Sequence, residues 1–215
     1  MVLKGNAYGH GLSELLPVLH PLVDTIFVIS PLDALAIRRF EATHALPMRQ
    51  VVVLGAVDAD EAIQLAEAEL EAVVPDASWA QVIPRLRAAG LTRPLRVHVH
   101  VDTGLGRNGS TMADLPSLLQ RASEYQEAGL LRVVGVFSHL AVADEPERPE
   151  TDMQLAVFDE AIALCEATGD TLHLSGAAPV IRVGVFSAGD AALTATLNTA
   201  IASSTGFVKQ AGGTL

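Results

Sequence analysis

Cysteine occurs once in the 215 residues, at Cys165, which excludes a disulfide within the chain and a cysteine cage for a metal. A single thiol fits a reducing, cytoplasmic setting. Positive charge is also short: 14 basic against 25 acidic side chains leave a formal charge of −11. That balance argues against nucleic acid or an anionic membrane surface as the main partner. No uncharged apolar run reaches the roughly 18 residues of a spanning helix, and no charged-then-apolar leader opens the chain. A soluble protein is expected. Lysine is scarcest among the cations, with only Lys4 and Lys209 against twelve arginines.

What is present is apolar and periodic. Half the residues are hydrophobic, enough for a sizeable core, and the length suits an α/β barrel of about 200 to 250 residues. Short β-branched runs, apolar on both faces, are expected as strands at Val2–Lys4, Thr25–Ser30, Val51–Leu54, Glu71–Val74, Leu95–Asp102, Arg132–His139, Thr171–Leu174 and Ile181–Phe186. Amphipathic stretches at Leu12–His20, Leu32–Thr43, Ala59–Glu69, Ser78–Ala89, Met112–Ala128 and Asp152–Thr168 read as helices between them. Repeated βα units with eight strands predict a TIM-type (β/α)8 barrel.

The pattern has one defect. Only "SGAAPV" separates the expected seventh and eighth strands, whereas a parallel crossover needs a dozen or more residues. The barrel therefore reads as shortened there, or its seventh strand is misassigned. Beyond it, Leu193–Gln210 is rich in Thr, Ser and Val and reads as the start of a C-terminal β region. The expected division is a barrel over 1–189 and the beginning of a truncated β domain over 190–215. Both ends of the chain read as cut.

The opening "VLKGNAYGHG" places Lys4 at a strand tip, where such barrels carry their active sites. A lysine partly removed from water there can lose its proton and attack a carbonyl. A surface lysine capping a strand is the plainer alternative. Gly5, Gly9 and Gly11 allow close backbone approach, and Tyr8 offers a phenolic donor to an anion. This segment resembles the pyridoxal-phosphate lysine segment of the alanine racemases, fold-type III enzymes. The resemblance implies that Lys4 carries pyridoxal 5'-phosphate as a Schiff base and is one of two racemisation bases, with Tyr8 on the phosphate.

Three further segments are similar to the same family. "VHVHVDTGLGRNG" (Val97–Gly109) alternates so that His98 and His100 share a face, and its glycine-rich turn delivers Arg107. By resemblance Arg107 contacts the phenolic oxygen of the cofactor. His100 stands where many members carry a carbamylated lysine, so Arg107 needs another support. "GVFSHLAVADE" (Gly135–Glu145) carries over His139 as an active-site histidine. "IRVGVF" (Ile181–Phe186) resembles the family's last barrel strand, and the resemblance implies Arg182 at the pyridine nitrogen, with backbone N–H groups at Gly184 and Val185 in the phosphate cradle. "LHLSGAAP" (Leu172–Pro179) matches only in part, with Ser175 and Gly176 in the phosphate region, and Ala188 replaces an expected tyrosine.

The resemblance implies an alanine racemase-like enzyme interconverting L- and D-alanine, incomplete in this chain because the second-base tyrosine belongs to a β domain beyond it. Neither Tyr8 nor Tyr125 stands in for that base. The family forms homodimers, an expectation made doubtful here by the missing domain. Two rivals remain open: a decayed barrel that binds the cofactor without catalysis, and a metal-dependent barrel hydrolase using His98, His100 and His139.

Overall fold

The structure, a computed structural model, describes residues 1–145, 147–167, 180–184 and 208–211, the last two stretches as strand backbone. The described chain divides into two compact units. The first comprises Met1–Val73, Trp79–Val97 and Gly129–Leu131; the second comprises Val74–Ser78, His98–Ala128 and the described residues from Arg132 onward.

The first unit opens with a short helical turn, α1 (Lys4–Tyr8), followed by helix α2 (Leu12–Leu19). Strand β1 (Thr25–Val28) leads to α3 (Pro31–Thr43), β2 (Gln50–Val53) to α4 (Ala59–Glu67), and β3 (Glu71–Val74) to α5 (Ile83–Ala89). β1 pairs in parallel with β2, Thr25 opposite Gln50, and β2 pairs in parallel with β3, Val52 opposite Glu71. Strands covered on both faces need apolar side chains on both, which is why "VVV" at 51–53 and "EAVV" at 71–74 are buried without alternation. The helices begin where the sequence supplies a cap. Ser30 accepts from the Leu32 N–H ahead of Pro31, and Asp58 with Glu61 forms a reciprocal capping box at α4.

Polar side chains at the strand starts hold this unit together. Thr25 donates to Gln50 (3.0 Å), Gln50 donates to Glu71 (2.7 Å), and Arg96 Nε donates to Glu71 (2.8 Å). A second hub is Glu41, 1 % exposed. Its Oε1 accepts from His20 Nε2 (3.0 Å) and the Arg49 N–H (2.8 Å), while its Oε2 accepts from Arg38 (2.6 Å). Arg38 in turn donates to the carbonyls of Arg49, Ala68 and Glu69, fastening α3 to the segments that enter β2 and β3.

The second unit contains the latter half of β4 (Leu95–Val101), α6 (Leu115–Glu127), β5 (Leu131–His139) from Arg132 onward, α7 (Glu150–Ala167), β6 (Val180–Gly184) and β7 (Val208–Ala211). β5 pairs in parallel with β6, Phe137 opposite Arg182 and His139 opposite Gly184; β6 pairs in parallel with β7. Its core includes Val99, Leu115, Leu119, Val136 and Phe158. The architecture is a parallel α/β sheet with alternating helices, the fold class expected of the sequence.

Two strand expectations change. Val2–Lys4 is reduced to a single parallel bridge at Val2, opposite Phe27, because the chain turns into α1 at Lys4. The strand at Val180–Gly184, one residue earlier at its start than expected, lies directly beside β5, and the connection between these two strands contains α7. The expected strand at Thr171–Leu174 lies outside the described residues, as do Val185 and Phe186 of the expected last strand. Within Leu193–Gln210, strand character is described only from Val208, and that strand joins the same sheet as β6.

Glu41→Leu leaves His20, Arg38 and the Arg49 N–H facing an apolar side chain. We expect a loss of about 3 to 5 kcal/mol of unfolding free energy, the usual cost of breaking a buried ion pair from one side. A urea midpoint within error of the parent would contradict the hub role of Glu41.

Candidate cofactor and catalytic site

Lys4 follows three residues whose backbone pairs with β1: the Leu3 N–H donates to the Phe27 carbonyl and the Phe27 N–H to that of Met1. After it the chain winds left-handed. Gly5, Asn6, Ala7 and Tyr8 all have φ between 55° and 61°. An L-residue in that conformation costs roughly 1 to 2 kcal/mol, so Asn6, Ala7 and Tyr8 together hold appreciable strain. The turn is retained by local bonds. The Gly9 N–H reaches the Gly5 carbonyl, the Gly11 N–H reaches that of Asn6, and the Asn6 side chain accepts from the Leu12 N–H at 2.8 Å. Lys4 is half-buried, with its Nζ 5.6 Å from the centroid of the Tyr8 ring. Partial burial raises the Tyr8 hydroxyl above its ordinary pKa, so it remains a donor.

The second cluster is built where β4 ends. The Asp102 carboxylate accepts from the N–H groups of Gly104 and Gly106, both at 3.0 Å, which curls the chain into a tight loop. The loop returns to the strand through Ser110, whose N–H donates to the His100 carbonyl (2.8 Å) and whose carbonyl accepts from the Asp102 N–H (2.9 Å). Gly109 makes this return feasible: its φ is +105°, and a Cβ there would lie 2.8 Å from the Asp102 nitrogen. The loop brings Arg107 to His139, the last residue of β5, with Nη2 2.8 Å from Nδ1. A guanidinium only donates, so Nδ1 of His139 accepts and its ring proton resides on Nε2. This bond is the support that the missing lysine left Arg107 to find.

His100 is 3 % exposed, with its ring centroid 4.5 Å from that of Phe137. Burial, then the nearby Arg107 charge, push its pKa down to about 4, against the opposing pull of Asp102. At neutral pH it carries no charge. His98 is buried on the same strand.

Of the residues expected at the site, Arg107 and His139 are in direct contact, and Lys4 and Tyr8 share the left-handed turn. Gly184 and the backbone of Arg182 lie on β6, Gly184 opposite His139. The Arg182 side chain, Ser175, Gly176 and Val185 lie outside the described residues. The metal-hydrolase alternative finds no support: among the described residues no three His, Cys, Asp or Glu side chains are grouped to hold a metal. His139 moreover presents its Nδ1 to a cation.

One participant was not legible in the sequence. Gln154 on α7, 4 % exposed, accepts from the Ala141 N–H (2.8 Å) and donates to the His139 carbonyl (3.1 Å) and to Thr103 (3.0 Å). Thr103 is hydrogen-bonded to Ser138 at 2.7 Å. A glutamine in an otherwise ordinary helical stretch carries no motif, and only its burial and three bonds mark it.

Comparison with known proteins supplies the family. Residues 1–191 match the family "Alanine racemase, N-terminal domain". The chain belongs to the alanine racemase family. It is 36 % identical over 181 residues to the alanine racemase of Salinispora tropica, covering 78 % of this chain and 44 % of that one. To the alanine racemase of Thioalkalivibrio sulfidiphilus it is 40 % identical over 164 residues, covering 75 % and 43 %. The alanine racemase structure from Streptomyces lavendulae superposes with a TM-score of 0.72 at 30 % identity, over 85 % of this chain and 45 % of that one. The histidine racemase of Leuconostoc mesenteroides superposes at 0.63 with 26 % identity, over 74 % and 41 %. The chain thus spans less than half the length of these family members.

The position of His100 generates a pH prediction. The unfolded chain takes up the His100 proton near pH 6.5, the folded chain only near 4. Its contribution to stability is therefore complete above 6.5 and is lost as pH falls toward 4, by up to about 3 kcal/mol. In ring-labelled NMR titrations, Arg107→Met should raise the His100 midpoint and Asp102→Asn should lower it. Equal midpoints in all three proteins would contradict this account.

Proposed function

We propose that this chain is the cofactor-bearing part of an amino-acid racemase that interconverts L- and D-alanine with pyridoxal 5'-phosphate. The observation that carries the reading is the left-handed turn headed by Lys4. Strain of this kind persists where a function requires it, and here it sits in a segment that the family shares.

The side chains present suit that cofactor. Lys4 supplies the amine that would hold it covalently, Tyr8 a neutral donor for its phosphate, and Arg107 a permanent cation for its phenolic oxygen. Arg182 would face the pyridine nitrogen, with Ser175, Gly176, Gly184 and Val185 completing the phosphate cradle. When bound, the cofactor supplies an electron sink for the carbanion formed at the substrate α-carbon. Lys4 then takes or returns the α-proton on one face. His139 holds its own proton on Nε2 and keeps Arg107 in place through Nδ1. Racemisation needs a base on each face, and we assign the second to a tyrosine outside these 215 residues, in a β domain.

The remaining assignments follow from the same reading. The substrate is a small amino acid and the product serves D-alanine supply. The setting is cytoplasmic, supported by the presence of a single cysteine, the buried Cys165. The family's homodimer is assigned to the protein that includes the β domain. Among the described residues no helix is long and apolar enough to cross a membrane.

Incubation with pyridoxal 5'-phosphate should give a visible absorbance band that borohydride removes, leaving a stable adduct on the peptide containing Lys4. Lys4→Ala should lose both. Labelling at Lys209, or none, would overturn the reading. With the cofactor bound, exchange of the α-hydrogen in heavy water should be confined to one enantiomer of alanine. Exchange of both would place a second base within these residues.

A further inference from the structure

We infer that Gln154 is the positioning residue of the His139–Arg107 pair, fixing both the backbone of His139 and the loop that delivers Arg107; its value for catalysis rests on the reading proposed above. The amide uses its full donor capacity. Its oxygen accepts from the Ala141 N–H (2.8 Å), and its nitrogen donates to the His139 carbonyl (3.1 Å) and the Thr103 hydroxyl (3.0 Å). That orientation is the only satisfactory one. A flipped amide would set N–H against N–H at Ala141 and carbonyl against carbonyl at His139.

Two of these bonds, together with that from Arg107 to His139, close a ring. From Gln154 it runs to Thr103, along the loop capped by Asp102 to Arg107, across to the His139 side chain, and through the His139 backbone to Gln154 again. Thr103 is doubly anchored, since its hydroxyl also pairs with Ser138, the neighbour of His139 (2.7 Å). Both ends of the Arg107–His139 bond are therefore referred to one buried side chain on α7. The helix also approaches the loop closely: a Cβ on Gly104 would lie 3.6 Å from Cγ of Gln154. Because Arg107 can only donate, registering the two partners also selects the Nε2–H tautomer of His139. Gln154 thus acts through His139 on where a proton is held. It touches no reacting atom.

The test follows the His139 ring by nitrogen NMR of histidine-labelled chain without cofactor. The parent should show a single Nε2–H tautomer. Gln154→Met and Thr103→Val should each produce a mixture of tautomers, while Thr103→Ser, which keeps the hydroxyl, should restore the single form. Phe158→Leu, a core change one turn further along the same helix that removes none of the three Gln154 bonds, serves as the control for lost stability and should leave His139 unchanged. A parent-like His139 in Gln154→Met overturns the inference, as does an equal disturbance in Phe158→Leu. Should Gln154→Met fail to fold, Thr103→Val decides, and an undisturbed His139 there overturns it. Borohydride labelling of Lys4 is scored separately. Labelled chain with an insensitive His139 sinks this inference alone, whereas unlabelled chain with a sensitive His139 sinks only the cofactor reading.

Discussion

The bond from Arg107 to Nδ1 of His139 organises the second unit around a constraint of chemistry, not of shape. A guanidinium has no acceptor, so contact at this nitrogen decides the tautomer of the ring, the direction of its remaining proton and the position of a permanent charge. Around that bond the loop from Asp102 to Gly109, the end of β5 and the start of α7 become mutually dependent. His100 shares the arrangement without charge, kept neutral by burial and by the same guanidinium. A positively charged His100 would repel the Arg107 guanidinium.

The first unit uses charge differently. Glu41 and Glu71 are buried acids, each surrounded by donors from neighbouring elements, at the ends where strands begin. In barrels of this class those ends serve stability, and chemistry is carried where strands finish. The left-handed turn after Lys4 follows the opposite logic: it stores strain instead of relieving it. Asn6 reduces that cost, since its side chain both tolerates the conformation and caps α2. Glycine at 5, 9 and 11 removes it at the remaining corners of the turn.

Much of this was readable in advance for identifiable reasons. Strands β1 to β5 fall within one or two residues of their expected places because strands covered on both faces must be continuous apolar runs. The capping signals at Ser30 and Asp58 mark helix starts locally. Lys4, Arg107 and His139 stand out as candidates because they sit in or beside glycine-punctuated segments, and the structure brings the last two into contact. The strand at Val2–Lys4 was misjudged because local β-propensity gives no sign that the next four residues will turn left-handed. The link before Val180 stays open between two readings in the sequence, because periodicity cannot report which strands are neighbours.

What the amino-acid order determined alone is therefore the alternation of strands and helices, the excess of acid, and the placing of a lysine, an arginine and a histidine in glycine-punctuated segments. Those are properties of residue type and short-range spacing, and they survive without coordinates. Tertiary structure alone decided that Arg107 meets His139, that β6 adjoins β5, and that Gln154 links the loop, the strand end and the helix. Each joins residues far apart in the chain, and hydrogen-bond direction between distant groups is set by folding, not by the pattern of neighbours.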